Sequence, residues 1–224
     1  MIVEADSLQW IVDDQPSGDR IGPDHEEPLR ARVLGLIPIG GTFIDVGAHV
    51  GCYSLRAADR AAAVYAVEPV PETALVLERN CELNHIQNVY IYTMAAWDSR
   101  TTLALVSPNG FPRDASMRTR PTEAEGDVVA VRLDEIFRHV HHVDLIKVDV
   151  EGSDLEALEG MRGLLARLRP KVLIEDHSVL GYFSAESLQE KIASLNYQSE
   201  LFGTYGGANY WLCRPKSHEL GDKF

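Results

Sequence analysis

The chain has 224 residues, 45% of them apolar and 25% charged, a balance that excludes wholesale disorder. Its 34 acids outnumber 21 lysines and arginines, for a net charge of −13, which opposes docking on a phosphate backbone or an anionic membrane. Cys52, Cys81 and Cys213 are odd in number and form no C-x-x-C pair, so neither a disulfide framework nor a zinc ribbon is indicated. A reducing, cytoplasmic setting is the expectation. The first residues, MIVEAD, lack the basic start of a signal peptide, and no apolar run approaches the roughly 18 residues of a membrane span.

Residues 1–40 are turn-rich and acidic, with only short apolar pieces, and read as a lid or preamble to a domain over 41–215, with a tail at 216–224. From Thr42 the pattern becomes regular. Residues 43–46 form a short buried strand ending at Gly47, 53–60 a helical stretch and 63–67 a second strand. Pro71 and Glu72 open a helix to about Asn84. Strands follow at 88–93 and 101–106. The stretch 107–127 has no periodicity, and a loop of that length in a compact domain is functional or disordered. It is expected on the acceptor side of the site, with Phe111, Ser116 and Met117 as contacts.

Regularity returns with a strand at 128–133, a short helix to His139, and a strand at 144–148 ending at Asp149. A helix follows with Leu155, Leu158, Met161, Leu165 and Leu168 on one face, its acids Asp154 and Glu156 first and its arginines last, as the helix dipole prefers. Residues 171–175 form a strand and 185–195 a helix. Two final strands, 197–201 and 209–213, can close as a hairpin. Strands alternating with helices predict an α/β fold, a doubly wound, mostly parallel sheet.

The run FIDVGAHVG at 43–51 places Gly47 and Gly51 between a strand and a helix, where glycine lets a backbone approach a ligand. Glu68 ends the next strand, a position from which a carboxylate accepts both ribose hydroxyls of a nucleoside. A dinucleotide loop wants a glycine where Asp45 stands. An acid there suits a cationic ligand better than a pyrophosphate, which disfavours a nicotinamide-dependent oxidoreductase.

These residues resemble the cofactor loop of class I S-adenosylmethionine-dependent methyltransferases. Three further segments, VEPVPE at 67–72 with Asn80 and Asn84, IKVDVEG at 146–152, and VLIE at 172–175 followed by His177, narrow the resemblance to the FkbM-type family over about residues 42–213. It implies a Rossmann-like, seven-stranded sheet whose last strand is antiparallel. It also implies methyl transfer from S-adenosylmethionine to a hydroxyl of a small-molecule acceptor such as a sugar, glycoside or polyketide. The cofactor contacts it implies are Asp45, Gly47, His49, Gly51, Glu68, Pro69, Ala96, Trp97, Asp98, Asp149 and Glu151. Within these, Asp98 and Trp97 border the adenine, Trp97 either stacking on it or serving only as packing.

An aliphatic hydroxyl is a poor acid, so a base at a strand end is expected. Asp149, Glu175 and His177 are the candidates, Asp149 first because it directly ends a buried strand. Each has a plainer reading: Asp149 as the ion-pair partner of Lys147, and His177 as a loop histidine. Glu151 can likewise serve only a helix N-terminus. Asp149 with Glu175 or Asp176 offers hard oxygen ligands for magnesium, but the resemblance does not specify a metal and none is assigned. His139, His141 and His142 read as exposed. The competing functions are a non-catalytic cofactor-binding subunit, which the retained strand-end acids disfavour, and a nucleic-acid methyltransferase, which the net charge disfavours.

Overall fold

The structure is a computed structural model that describes residues 2–11, 26–104 and 128–217. The expected loop 107–127 with Phe111, Ser116 and Met117, residues 12–25 of the expected lid, and most of the tail 216–224 lie outside the described residues.

The central sheet has seven strands: β3 (Gly41–Val46), β4 (Ala61–Val67), β5 (Val89–Tyr92), β9 (Leu145–Val148), β10 (Lys171–Asp176), β11 (Tyr197–Tyr205) and β12 (Ala208–Pro215), in the order β11-β12-β10-β9-β3-β4-β5. The five from β10 to β5 run parallel. The last strand, β12, inserts antiparallel between β10 and β11, as expected. Two-sided burial explains the apolar runs in β3 and β9. Phe43, Leu145, Leu173 and Leu212 pack on one face with α1 (Leu29–Leu34), and Ile44, Ile146 and Ile174 on the other with α5 (Asp154–Gly160) and α7 (Ala185–Ser194).

The chain leaves β3 toward β4 and β5, then returns to lay β9 on the opposite side of β3. That reversal opens a crevice beyond the carboxyl ends of β3 and β9, where ligands bind in open α/β sheets. The site is built there.

Three features depart from the sequence reading. The helix expected after Asp149 is two, α5 and α6 (Arg162–Leu168). At the break, a Cβ on Gly160 would stand 1.9 Å from the carbonyl oxygen of Trp97, so the backbones touch. Asp134 then caps the new helix by accepting from the N–H groups of Gly163 and Leu164, at 3.1 and 2.7 Å. Second, Ala95–Ala96 (β6), Thr101–Leu103 (β7) and Val128–Val131 (β8) form a separate three-stranded sheet. The expected strand at 101–106 is its short edge.

Third, Ile2–Ala5 (β1) and Leu8–Ile11 (β2) form a hairpin docked on α3 (Pro71–Leu83). Trp10 is wholly buried. Asn84 accepts from the Gln9 N–H and donates to its carbonyl, both at 2.7 Å. Asn80 accepts from Ile11 and donates to the carbonyl of Val50. Thus two asparagines serve as a sheet edge for β2 and tie the hairpin to the loop after β3. Among the described residues no helix is long and apolar enough to cross a membrane.

Candidate functional site

The crevice floor begins with the loop after β3. Gly47 has φ +85, and a Cβ on it would lie 1.7 Å from the carbonyl oxygen of Asp149, so the loops after β3 and β9 are in backbone contact. Gly51 has φ +97, with Leu55 directly against it. Between them His49 adopts φ +50, which turns its N–H onto Glu68.

Glu68 is buried, its Oε2 accepting from the His49 N–H at 2.9 Å and its Oε1 from the Val70 N–H at 3.0 Å. Burial pushes its pKa up to about 7 despite these two bonds. A carboxylate held this way keeps one lone pair on each oxygen for a further donor. Pro69 is buried beside it.

Asp45, almost wholly buried, accepts from the Ser54 hydroxyl at 2.6 Å through Oδ2. Its Oδ1 is buried without a hydrogen-bond partner among the described residues. Burial raises the Asp45 pKa, with Lys147 opposing. An acid at this depth with an orphaned oxygen is a place for a donor or cation to arrive.

Lys147 is the cation beneath the site. It is 2% exposed, with Nζ 2.7 Å from Asp149 Oδ2 and 4.7 Å from the Tyr53 ring centre. Burial opposes its charge, but Asp149, Asp45, Glu26 and Glu175 outweigh burial and hold the pKa above the ordinary lysine value. The ion-pair reading of Asp149 is therefore what the structure shows. Burial would raise the Asp149 pKa, yet Lys147 and His177 pull it below the usual value.

The structure brings Asp149, Glu151, Glu175 and His177 together. His177 Nε2 lies 3.6 Å from Asp149 Oδ1, 3.7 Å from Glu151 Oε2 and 4.0 Å from Glu175 Oε1. Its Nδ1 is 3.2 Å from Asp154 Oδ1. Burial disfavours the imidazolium, but Asp154 and then Asp149 overcome it and bring the pKa to about 10. His177 is thus no plain loop residue; it is the cationic hub of four carboxylates. Glu175 accepts from the Tyr210 hydroxyl, and burial followed by repulsion from Asp149 raises it to about 8.

The remaining candidates have partners of their own. Asp176, on the opposite face of β10, accepts from Trp211 Nε1 at 3.0 Å and from the Ser178 N–H, so it is no partner for Asp149 in a magnesium site. Trp97 is packed with Ala95, Leu103, Val128 and Ala130, and Ala96 is buried in β6. Asp98 accepts from the Ser99 hydroxyl at 2.8 Å. His139 and His141 are exposed, and His142 Nε2 pairs with Asp144 at 3.0 Å.

Asp154 was read from the sequence as a helix-dipole acid; it is fully buried against His177. Its place, five residues after Asp149 and opening α5, was the available signal. Tyr53, Tyr210 and Glu26 gave none. The Tyr53 hydroxyl donates to Glu26, a buried acid brought in from the N-terminal segment.

Comparison with known proteins bears on this geometry. The methyltransferase FkbM domain pattern matches residues 45–201. A methyltransferase from Sordaria araneosa, sdnD, is 28% identical over 199 residues, covering 71% of this chain and 75% of that protein. The fold is similar to the crystal structure of methyltransferase FkbM from Methylobacillus flagellatus KT, with a TM-score of 0.55 at 18% identity over 80% of this chain, which spans 44% of that one. It is also similar to a Streptococcus thermophilus rRNA methylase, with a TM-score of 0.56 at 11% identity, covering 84% of this chain and 94% of that one. With a match running from the glycine-loop strand to β11, the chain belongs to the FkbM methyltransferase family.

Proposed function

We propose that the protein transfers a methyl group from S-adenosylmethionine to a hydroxyl of a small molecule. The observation that carries this reading is the pairing of Glu68, fixed by two backbone N–H groups, with a glycine loop whose neighbour Asp45 holds an unpartnered buried oxygen. These residues fit the donor. Glu68 would accept the ribose hydroxyls, and the loop 47–51 would lie against the nucleoside. Asp45 and the strand-end acids would face its positive end. S-adenosylmethionine, when bound, supplies an electrophilic methyl carbon on a sulfonium.

The chain's own tasks are to align the acceptor, exclude water and remove one proton. Asp149 is the weaker base, since Lys147 occupies its Oδ2 and stabilises its ionised form. Glu175 lies beside Asp149 and Tyr210, where burial and repulsion from Asp149 outweigh the pull of Lys147 and raise its proton affinity, and in its ionised form it takes up the hydroxyl proton. Asp149 and His177 then keep the acceptor oxygen in line. This revises the order of candidates in favour of Glu175. The excess of carboxylates over cations here favours a neutral acceptor, and the net charge of −13 weighs against RNA.

Calorimetry with S-adenosylmethionine and its demethylated product tests donor binding. Labelled-methyl transfer to a panel of glycosides, polyketides and RNA tests the acceptor. No binding of either nucleoside to folded protein overturns the reading. Transfer to RNA alone overturns the acceptor class.

A further inference from the structure

We infer that Asp149, Glu151 and His177 form a binding site for one divalent transition cation, of which Mn2+ is the representative probe. Asp149 Oδ1, Glu151 Oε2 and His177 Nε2 are the ligand atoms, and Asp154 is the group that orients the imidazole. The three residues come from two loops that the sheet makes adjacent, and each offers one ligand atom within 4.8 Å of the others.

Asp149 and His177 are each already held through their other polar atom. Lys147 holds Asp149 through Oδ2, which leaves Oδ1 on the His177 side. Asp154, wholly buried, holds His177 through Nδ1. A carboxylate on the far ring nitrogen is the outer-shell partner that metal-bound histidines characteristically have. His177 is only 7% exposed on its side chain, yet its Nε2 comes no closer than 3.6 Å to any of the three carboxylates it faces. Those gaps exceed a hydrogen bond. Nine-tenths buried, the ring therefore aims a nitrogen into the carboxylates without a hydrogen bond to any of them.

The spacing is that of ligands around a common centre. Two donors each about 2.1 Å from an ion stand about 3.0 Å apart at right angles and about 4.2 Å apart when opposite. The separations of 3.6 and 3.7 Å fall between these, and Glu151, half-exposed at 45%, has room to close the remainder by rotation. Charge agrees: Asp149, Glu151, Glu175 and Asp154 surround His177, Lys147 is already paired, and an arriving dication replaces the Nε2 proton of the imidazolium, which is released to solvent. An imidazole mixed with carboxylates selects first-row transition cations over magnesium or calcium. Resting on the methyl-transfer reading, the ion would hold the acceptor oxygen and lower its pKa. Glu175 lies outside the ligand set and remains free to take the proton.

The test uses the full chain, stripped with chelator and titrated with Mn2+ without methyl donor, free Mn2+ being read by electron paramagnetic resonance. One site is expected, weakened at least tenfold in Glu151→Gln and abolished in Glu151→Gln/His177→Ala, with no change in His142→Ala. Because Glu151 is half-exposed, Glu151→Gln keeps the fold, which its melting temperature checks. No saturable binding, or several weak sites equally strong in all variants, overturns the proposal. Calorimetric donor binding in chelator separates the two readings. Donor binding without a Mn2+ site sinks the metal alone, and a Mn2+ site without donor binding sinks the methyl-transfer reading alone.

Discussion

The loop after β3 lies in backbone contact with the loop after β9, yet it and the pair of loops after β9 and β10 are built on different principles. The first is made of backbone. Gly47, His49 and Gly51 carry positive φ, and the one side chain it positions, Glu68, is held by main-chain N–H groups. The second is made of side chains, in which Asp149, Glu151, Asp154, Glu175 and His177 define one another's charge. A backbone-built region breaks when a shape is violated; a charge-built region breaks when one partner is removed.

Gly47→Ala breaks both regions together, and its effect should be the largest. The added Cβ would sit 1.7 Å from the Asp149 carbonyl oxygen at a φ of +85, so strands β3 and β9 must part. The expected loss is at least about 5 kcal/mol, seen as failure to fold or as a collapsed urea midpoint. Near-native stability would mean that the two loops are not in contact.

Lys147→Met attacks the charge-built region alone. Removing the lysine from among Asp45, Asp149 and Glu175 leaves buried acids uncompensated, at a cost of about 3–5 kcal/mol. Lys147→Met/Asp149→Asn should recover most of that, because the double change removes both members of the pair. Equal stability of the single and double variants in urea unfolding would show that the pair is not coupled.

The same contrast decides what was legible in the sequence. Gly47, Gly51 and Glu68 stand at fixed offsets from two strand ends, and local spacing alone found them. The doubly wound, mostly parallel sheet followed from the alternation of strands and helices, and its seven strands with an antiparallel last one from the family resemblance. Asp149, Glu175 and His177 were also found, as strand ends, but their roles were not. Those roles depend on Asp154 from α5, Tyr210 from β12 and Glu26 from the N-terminal segment, partners that no spacing announces. Asp154 conforms to the helix-dipole rule, which hid its burial. The hairpin of residues 2–11 was missed for a similar reason: its buried core residues are only Ala5 and Trp10, and its edge is satisfied by asparagines 69 and 75 positions away.

Glu175→Gln should lower turnover by roughly 10²-fold or more with donor affinity within a few-fold, because the amide keeps the shape and loses the base. A variant with full turnover would leave alignment as the whole of catalysis. Glu68→Ala should show the reverse split. Donor affinity falls by about 1.5–3 kcal/mol, the loss expected for hydrogen bonds to a charged acceptor, while turnover at saturation changes less. Calorimetry and saturation kinetics together separate the two patterns.

The smallest effect, about tenfold, is the most specific to the backbone-built region, and it is a pH dependence. Burial raises Glu68 to about 7 in the donor-free protein, and its ionised form is the one that can accept from both ribose hydroxyls. At pH 8 about ten-elevenths of such a group is ionised and at pH 6 about one-eleventh, so donor affinity should weaken roughly tenfold over that interval. The unfolding equilibrium moves the opposite way. A carboxyl raised in the folded state favours folding below its unfolded value, and that contribution is lost as pH rises through the folded one. Glu68 therefore stabilises the donor-free fold around pH 4.5 relative to pH 7 by about 3 kcal/mol, while it prepares the site for its ligand above pH 7. Glu68→Gln should flatten the affinity profile between pH 6 and 8 and remove this share of the stability profile. An affinity slope that survives the substitution would place the titrating group elsewhere, among the side chains of the other region.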